Sequence, residues 1–355
     1  MNQRLKNRFR EALLAWYAAS KRDLPWRRTD DPYRIWLSEA MLQQTQVARV
    51  VEYYHRFLNE LPDVRALAEA DEEKVLKLWE GLGYYSRARN LHRAAKRMVE
   101  RHGGVVPSTY DELLELPGFG AYTAAAVSSI AFGEKRAVID GNVNRVVARL
   151  RAREVGDDVL RQTAVVAAFV AAAIPADRPG DFNQAMMELG ATVCRPRNPL
   201  CAQCPVSGSC DAARDSTQTS YPLRKTKPAR PVIEEAALVI ECDGALLFKQ
   251  RVGVKLLGGL WEFPSVVIAD DEAPLDAAVR LARKLGLNAG VTPLTRLTHV
   301  FTHLVQDLHI FKLESAARIT APEFHHWATP ADLDRLPLTR AAQRILGAKI
   351  KKSPK

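Results

Sequence analysis

Two carboxylates and four cysteines are the residues of this chain whose types and spacing could do chemistry. Glu39 lies in a stretch from about Arg34 to Val51 that reads as one helix, with Ile35, Trp36, Met41, Leu42 and Val47 able to line its buried side. The glutamate falls among those apolar positions rather than on the charged side. A lone glutamate there more often reaches back to water than stays inside. If it stays inside, burial disfavours its charged form, raises its pKa and makes it a proton donor at neutral pH. Asp140 follows the apolar pair Val138-Ile139 and precedes another helix. It is either a plain N-cap or a buried carboxylate that the helix N-terminus keeps ionised. A neutral acid beside a standing anion is the pairing that acid catalysis with charge stabilisation requires.

Cys194, Cys201, Cys204 and Cys210 have the spacing C-x6-C-x2-C-x5-C. A disulfide framework does not suit a protein of a reducing compartment. A four-cysteine zinc site usually shows two C-x2-C knuckles, and only one is present here. Four thiolates in one short loop also suit a 4Fe–4S cluster, so the spacing by itself leaves both groups open. Cys242 lies apart and reads as a buried strand residue.

The element that must position the carboxylates is the stretch from Leu116 to Asn142. Tyr110 to Leu116 reads as a short helix and Ala121 to Phe132 as an alanine-rich one, with the turn Leu116-Pro117-Gly118-Phe119-Gly120 between them. Gly118 and Gly120 can take positive φ and leave N–H groups bare at the start of the second helix, an anion site whose natural guest is a phosphate. A tight corner between two helices is the plainer reading. Followed by Asp140, the combination resembles the helix-hairpin-helix DNA glycosylases, the superfamily of endonuclease III.

Length and charge agree with a multidomain DNA-binding protein. At 355 residues the chain can hold about two or three domains with real cores. Its net charge is +10, with 20 Lys/Arg against 14 Asp/Glu from Tyr221 onward and 31 against 27 before it. Both portions are basic, which suits a polyanion shared between them. The longest apolar run, Ala164 to Ile174, is flanked by Arg161 and Asp177 and falls short of the roughly 18 residues a membrane span needs. Leu5, Phe9, Leu13, Trp16 and Tyr17 pattern the N-terminus as an amphipathic helix rather than a signal peptide. A cytoplasmic monomer without a membrane partner is expected.

Helices are also expected from Val64 to Trp79 and from Arg87 to His102, joined by the glycine-aromatic loop Gly81 to Tyr85. The expected domains are a helical one over 1–214, with the cysteine loop at 194–210, and a basic, proline-bearing linker over 215–232. A smaller α+β domain over 233–347 and a disordered tail over 348–355 follow. In the α+β domain the strand-like runs AALVIEC, ALLFKQR, LWEFPSVVI, LTHVFTH and LHIFKL surround one helix, about Pro274 to Leu285. This domain resembles the Nudix fold through Gly258-Gly259-Leu260-Trp261-Glu262-Phe263-Pro264. Arg280, Arg283 and Lys284 stand where that fold's metal-binding acids would be. Cations cannot hold a divalent metal, so a reader rather than a hydrolase is expected.

Taken from about Phe9 to Gln343, the chain resembles the MutY family of adenine DNA glycosylases, through the run Leu37 to Thr45, the hairpin, Asp140-Gly141-Asn142-Val143, the cysteine loop and the Nudix-like tail. The resemblance implies a monofunctional enzyme that hydrolyses the glycosidic bond of adenine mispaired with 8-oxoguanine or guanine, after the base has flipped out of the duplex. It favours the 4Fe–4S cluster on the four cysteines. It casts Glu39 as the acid, Asp140 as stabiliser of the sugar cation or transient nucleophile, and Asn142 as a positioner of water or acid. Tyr122 occupies the place of the lysine that makes a Schiff base in lyases. Gln44 and Tyr84 would fill or wedge the duplex, Arg27, Trp26 and Gln184 would contact the adenine, and Phe301-Thr302-His303 would read 8-oxoguanine. Thr302 stands for a serine of the family, and Asn144 for a lysine that traps product in some relatives. Rival readings are a glycosylase for T·G mismatches, a silent DNA scanner and a working Nudix pyrophosphatase.

Overall fold

Phe9, Leu13 and Tyr17 recur at helical spacing, and helix α1 (Gln3–Ser20) buries all three. The computed structural model describes residues 3–223, 229–254, 256–288 and 290–352. Two units divide it: residues 1–69 with 90–226, and residues 70–89 with 227–355. The second unit therefore takes a segment from the middle of the N-terminal half, a grouping that the successive domains read from sequence do not contain.

In the first unit α1 is followed by α2 (Pro32–Leu42), α3 (Val47–Glu60) and α4 (Val64–Glu69). The expected single helix over 34–51 is thus two. Gln44 adopts φ +57° between them, which ends α2 without a glycine or proline. The expected helix over 64–79 likewise breaks into α4 and α5 (Glu72–Leu78), with Asp71 at the N-cap position of the latter. Helix α6 (Ser86–His102) leads to α7 (Tyr110–Leu114), capped by the Thr109 side chain on the Glu112 N–H, and to α8 (Ala121–Phe132). Next come α9 (Gly141–Leu150), α10 (Ala152–Val155), α11 (Val159–Ala173) and α12 (Pro179–Thr192); the short α13 (Asp211–Arg214) follows the cysteine loop.

The core of this unit joins α1, α9, α11 and α12. Phe9, Leu13 and Tyr17 meet Val143, Val146, Val147 and Leu150, with Val166, Val170, Phe182, Met186 and Leu189 closing the cluster. Burying such side chains stabilises by about 1.5–3 kcal/mol each before the entropy of ordering is subtracted. The start of the expected linker is anchored here: the Tyr221 hydroxyl donates to the Ala152 and Gly156 carbonyls, and the Leu223 N–H to Gln162. Residues 224–228 of that linker lie outside the described residues. Among the described residues no helix is long and apolar enough to cross a membrane.

The second unit is built on a seven-stranded mixed sheet of order β3-β2-β1-β6-β5, with β4 pairing β1 and β7 pairing β2. Its strands are β1 (Val232–Cys242), β2 (Ala245–Gln250), β3 (Trp261–Glu262), β4 (Ser265–Val267), β5 (Thr292–Val300), β6 (Val305–Glu314) and β7 (His325–Ala328). Strands β1 and β6 run parallel over ten residue pairs, from Val232–Val305 to Glu241–Glu314. Alternation splits β1 between two cores: Ala237 and Val239 enter one, and Ala236, Leu238 and Ile240 pack under α14 (Pro274–Lys284) in the other. Cys242 is buried at the end of β1, as its strand setting suggested. Helices α15 (Pro330–Leu333) and α16 (Arg340–Lys352) complete the unit. The backbone is helical through Lys352, where disorder from 348 was expected; alanine and lysine are good helix formers and extend the helix begun at Arg340. Residues 353–355 lie outside the described residues.

Candidate active site

Helix α2 carries Glu39 inward because its neighbours Ile35, Trp36, Leu37, Ala40 and Met41 are all buried. The helix is started by Asp31, whose side chain accepts from the Tyr33 and Arg34 N–H groups, with Pro32 at the first position. The hairpin turn is held against α2 by Phe119, which stacks on Trp36 at a centroid distance of 5.3 Å. Gln43 adds a bond from Nε2 to the Thr123 hydroxyl of 3.2 Å. These contacts run α8 beside α2 and bring Tyr122 onto Glu39.

Glu39 is only 5 % exposed, and the Tyr122 hydroxyl donates to its Oε2 at 2.7 Å. Burial pushes its pKa up to about 7; the Tyr122 bond opposes this, the Asp140 charge adds to it and Arg27 counters. Asp140 caps α9: its Oδ1 accepts the Val143 N–H at 2.7 Å and its Oδ2 the Asn142 Nδ2–H at 2.8 Å. Burial raises Asp140 as well, against bonds from Val143 and Asn142 and the charge of Arg145. Those donors favour the anion and work against the burial. Asn142 is in turn held by Arg145, whose Nη2 donates to its Oδ1 at 2.8 Å. A cleft of about 300 Å³, lined by Tyr110, Ala121, Tyr122, Ala125, Arg136, Ala137 and Ile139, opens beside the tyrosine.

In the hairpin, Gly118 has φ +82° and a Cβ there would lie 2.5 Å from the Asn90 Cβ, so both conformation and space demand glycine. Gly120 does not use the positive φ open to a glycine. It is extended, at φ −91° and ψ 177°, as the N-cap of α8. A Cβ at Gly120 would meet nothing within 4 Å, which leaves the helix N-terminus open to an anion.

Arg27 is held by a residue the sequence reading missed, while Gln184 meets Arg27 through Tyr17 and Trp26 packs on Tyr54. Glu188, its side chain fully buried, takes bonds from Arg22 Nη2 at 2.6 Å and from Arg27 Nη2 at 2.8 Å. Burial alone would raise its pKa, but the bonds from Arg22 and Arg27 outweigh it and hold Glu188 at about 2. The Tyr17 hydroxyl donates to Gln184 at 3.2 Å, the Arg27 guanidinium lies over the Tyr17 ring at 5.4 Å, and Trp26 packs edge-on to Tyr54. The signal was available: Glu188 lies one helical turn from Gln184 in an otherwise apolar stretch. Glu188→Ala should cost about 3 kcal/mol in denaturant unfolding, because it strands Arg27, itself only 10 % exposed. A loss below 1 kcal/mol would show that Glu188 does not hold Arg27 in place.

Gln44, at φ +57°, and Tyr84, at φ +48°, both hold left-handed backbone that non-glycine residues seldom adopt, and both are exposed. Phe301, Thr302 and His303 form the loop between β5 and β6, closed by the Phe301 N–H on the Leu304 carbonyl at 2.9 Å. Phe301 packs between His299 and His303, at centroid distances of 4.4 and 6.3 Å. Thr302 and His303 are exposed. On α14, Arg280 is tied to Glu272 at 2.7 Å.

The four cysteines line one small cavity with Val193, Leu200 and Arg149. Burial, reinforced by the other three thiols, pushes Cys204 up to about 11, so four thiolates there need a cationic centre. Among the described residues, the trio whose ligand atoms all lie within 4.8 Å of one another is Glu234, Asp307 and His309, not any three cysteines. Sulfurs around a single zinc ion sit closer, about 3.8 Å apart given its bond lengths, so the donor set fits a larger iron–sulfur group. The acidic trio is already engaged by Arg296, 2.5 Å from Asp307 and 3.7 Å from Glu234. Arg149 grips the cysteine loop through the Arg195 and Pro196 carbonyls and the Cys194 sulfur, and Arg145 through the Cys194 carbonyl at 2.8 Å.

Comparison with known proteins bears on both units. Residues 37–164 match the HhH-GPD superfamily of base excision DNA repair proteins, 194–210 the iron–sulfur binding domain of endonuclease III, and 235–348 the NUDIX domain. Adenine DNA glycosylase of Mus musculus is 37% identical, covering 95% of this chain and 77% of the relative. That of Homo sapiens is 36% identical over 95% and 73%, and that of Schizosaccharomyces pombe 31% over 93% and 86%. Among solved structures, a thermostable thymine-DNA glycosylase superposes with TM-score 0.55 and 30% identity, over 60% of this chain and 98% of that one. An endonuclease III–DNA covalent intermediate gives 0.51 at 23%, over 61% and 99%, and shares the fold. The helical unit has the endonuclease III-like fold, the sheet unit is Nudix-like, and the cofactor is a 4Fe–4S cluster.

Proposed function

We propose that this chain, which belongs to the family of adenine DNA glycosylases of base excision repair, removes adenine mispaired with 8-oxoguanine or guanine, acting on a flipped base and without a lyase step. The observation that carries the reading is a buried glutamic acid, raised to about 7, hydrogen-bonded to a tyrosine where a Schiff-base lysine would stand. Adenine is a poor leaving group, and its departure leaves positive charge on the sugar. Glu39 is protonated often enough at neutral pH to donate to the base, at N7 by analogy with the family. Asp140, held by Asn142 and the α9 N-terminus, faces the sugar cation as an anion. Tyr122 orients Glu39 and has no amine with which to attack the abasic sugar.

Arg27, Trp26 and Gln184 are assigned to the extruded adenine, with Glu188 fixing the arginine. The open N-terminus of α8 at Gly118 and Gly120 is assigned to a backbone phosphate. Gln44 and Tyr84 are assigned to the stack the adenine leaves, and Phe301, Thr302 and His303 to 8-oxoguanine. Cys194, Cys201, Cys204 and Cys210 would hold the 4Fe–4S cluster, which organises their loop. The chain is taken to act as a cytoplasmic monomer, with duplex DNA as its partner.

Single-turnover reactions on A·8-oxoguanine, A·G, T·G and A·T duplexes, with and without alkali, test the reading. Adenine should leave the first two, with strand breaks appearing mainly after alkali. Thymine release from T·G alone would transfer the chain to the mismatch thymine glycosylases. Strand cleavage without alkali would overturn the role given to Tyr122.

A further inference from the structure

The segment carrying Tyr84 packs as part of the sheet unit, and the residues that seat it are those of the Nudix-like turn. Helix α5 lies against Gly259, where a Cβ would approach the Leu76 Cδ1 to 2.9 Å; Gly259 also has φ +80°, so a side chain is excluded twice. Beside this contact the Trp261 indole N–H donates to Glu73 at 3.1 Å. One turn on, Lys77 Nζ donates to the Leu333 and Leu336 carbonyls at 3.2 and 3.1 Å. Glu80 Oε1 accepts the Leu338 N–H at 2.7 Å, and Arg89 donates to the Gly258 carbonyl. Glu73, Leu76 and Lys77 share one face of α5, and Glu80 follows in the turn just beyond its end; together they meet the turn and the segment before α16.

The loop beyond α5 is stiff. Trp79, wholly buried, donates from Nε1 to the Gly83 carbonyl at 3.2 Å, and Arg87 donates to the same carbonyl at 3.0 Å. The Gly81 N–H reaches the Tyr85 hydroxyl at 3.1 Å. Gly81, Gly83 and Tyr84 all have positive φ, and Tyr84 is left 41 % exposed with the Arg87 guanidinium 5.7 Å from its ring centre. The loop therefore presents one aromatic ring on a backbone with little freedom, so inserting it into stacked bases carries little ordering cost.

We propose that Glu73, Lys77, Glu80 and Trp261 are positioning residues that hold the Tyr84 loop as a fixed wedge, the Nudix-like turn having become its seat instead of a metal-helix approach. Lesion reading by Phe301 to His303 and wedge insertion by Tyr84 then belong to one body, so engagement of 8-oxoguanine fixes where the stack is opened. This rests on the reading of Tyr84 as a wedge, and the experiment separates the two. In the full-length holoenzyme, Glu73→Ala, Trp261→Phe, Lys77→Met and Tyr84→Ala are compared on an A·8-oxoguanine duplex. A 2-aminopurine beside the mispaired adenine brightens when the stack opens.

The three seat variants should each lower the opening signal about three- to ten-fold, the range of one or two hydrogen bonds, with the pH midpoint of excision unmoved. Glu73→Gln, which retains an acceptor for the indole, should restore it. Combined with Tyr84→Ala, the seat variants should add nothing further, because both act through one ring. Seat variants at wild-type signal, or losses that add in full to that of Tyr84→Ala, overturn the seat alone. A silent Tyr84→Ala overturns the wedge and the seat together. Thermal melts of each variant guard against global unfolding, and a Lys77→Met protein that folds yet opens the stack normally counts against the proposal.

Discussion

Glu39→Gln is expected to slow single-turnover adenine release by about 10²–10⁴-fold, the usual worth of a positioned general acid, with duplex affinity near wild type. Glutamine still offers an oxygen to the Tyr122 hydroxyl, so the hairpin should stay on α2. Excision at the wild-type rate would remove Glu39 from the role. Its titration gives two further readings. Excision depends on the protonated form, so the rate should fall as pH rises through about 7. Stability moves in the same direction. Below the ordinary value of 4.5 both folded and unfolded chains hold the proton; as pH rises the unfolded chain loses it first, and the folded chain keeps it until about 7. Folding is therefore progressively penalised across that window, by about 3 kcal/mol once it is passed. Glu39→Gln carries no such charge. It should melt above wild type at pH 8, and the gap should close toward pH 4.

Asp140→Asn should be the second severe loss, about 10²–10³-fold in excision, comparable to removing one preorganised electrostatic group from a transition state. Asparagine caps helices as well as aspartate does, so α9 should still begin at Gly141, and circular dichroism should be unchanged. What disappears is the charge, together with a proper partner for the Asn142 amide, which would then face another amide N–H. Because the Asp140 charge helps to raise Glu39, the pH midpoint of the residual activity should move down. A midpoint that stayed put or rose would show that the two carboxyls do not sense each other.

Both carboxylates were legible because their positions conflict with their surroundings: Glu39 among Ile35, Trp36 and Met41, and Asp140 between an apolar run and a helix start. The cysteine loop and the hairpin were legible because thiolate spacing and glycine turns are local chemistry. What stayed hidden depends on distant contacts. The break between α2 and α3 has no glycine or proline to announce it; Gln44 bends there while Gln43 reaches Thr123, eighty residues away in sequence. The apolar stretch around Glu188 marks it as unusual, but its partners Arg22 and Arg27, far earlier in the chain, are not legible until they are folded against it. The conformation of Gly120 is not legible either, because a glycine's type permits positive φ without requiring it. The grouping of 70–89 with the sheet unit leaves no periodic trace, since Glu73 and Lys77 look like any charged helix face.

That last grouping constrains how such a chain can change over generations. A C-terminal domain joined only by its linker could be gained, lost or exchanged as a cassette. Here Leu76 and Gly259, and likewise Glu73 and Trp261, fit each other as surfaces, although nearly two hundred residues of chain separate them. A lineage that replaced the sheet unit would have to rewrite residues 72–80 in the same step, or carry an exposed leucine and unmatched charges until it did. The two stretches should therefore be inherited as one trait.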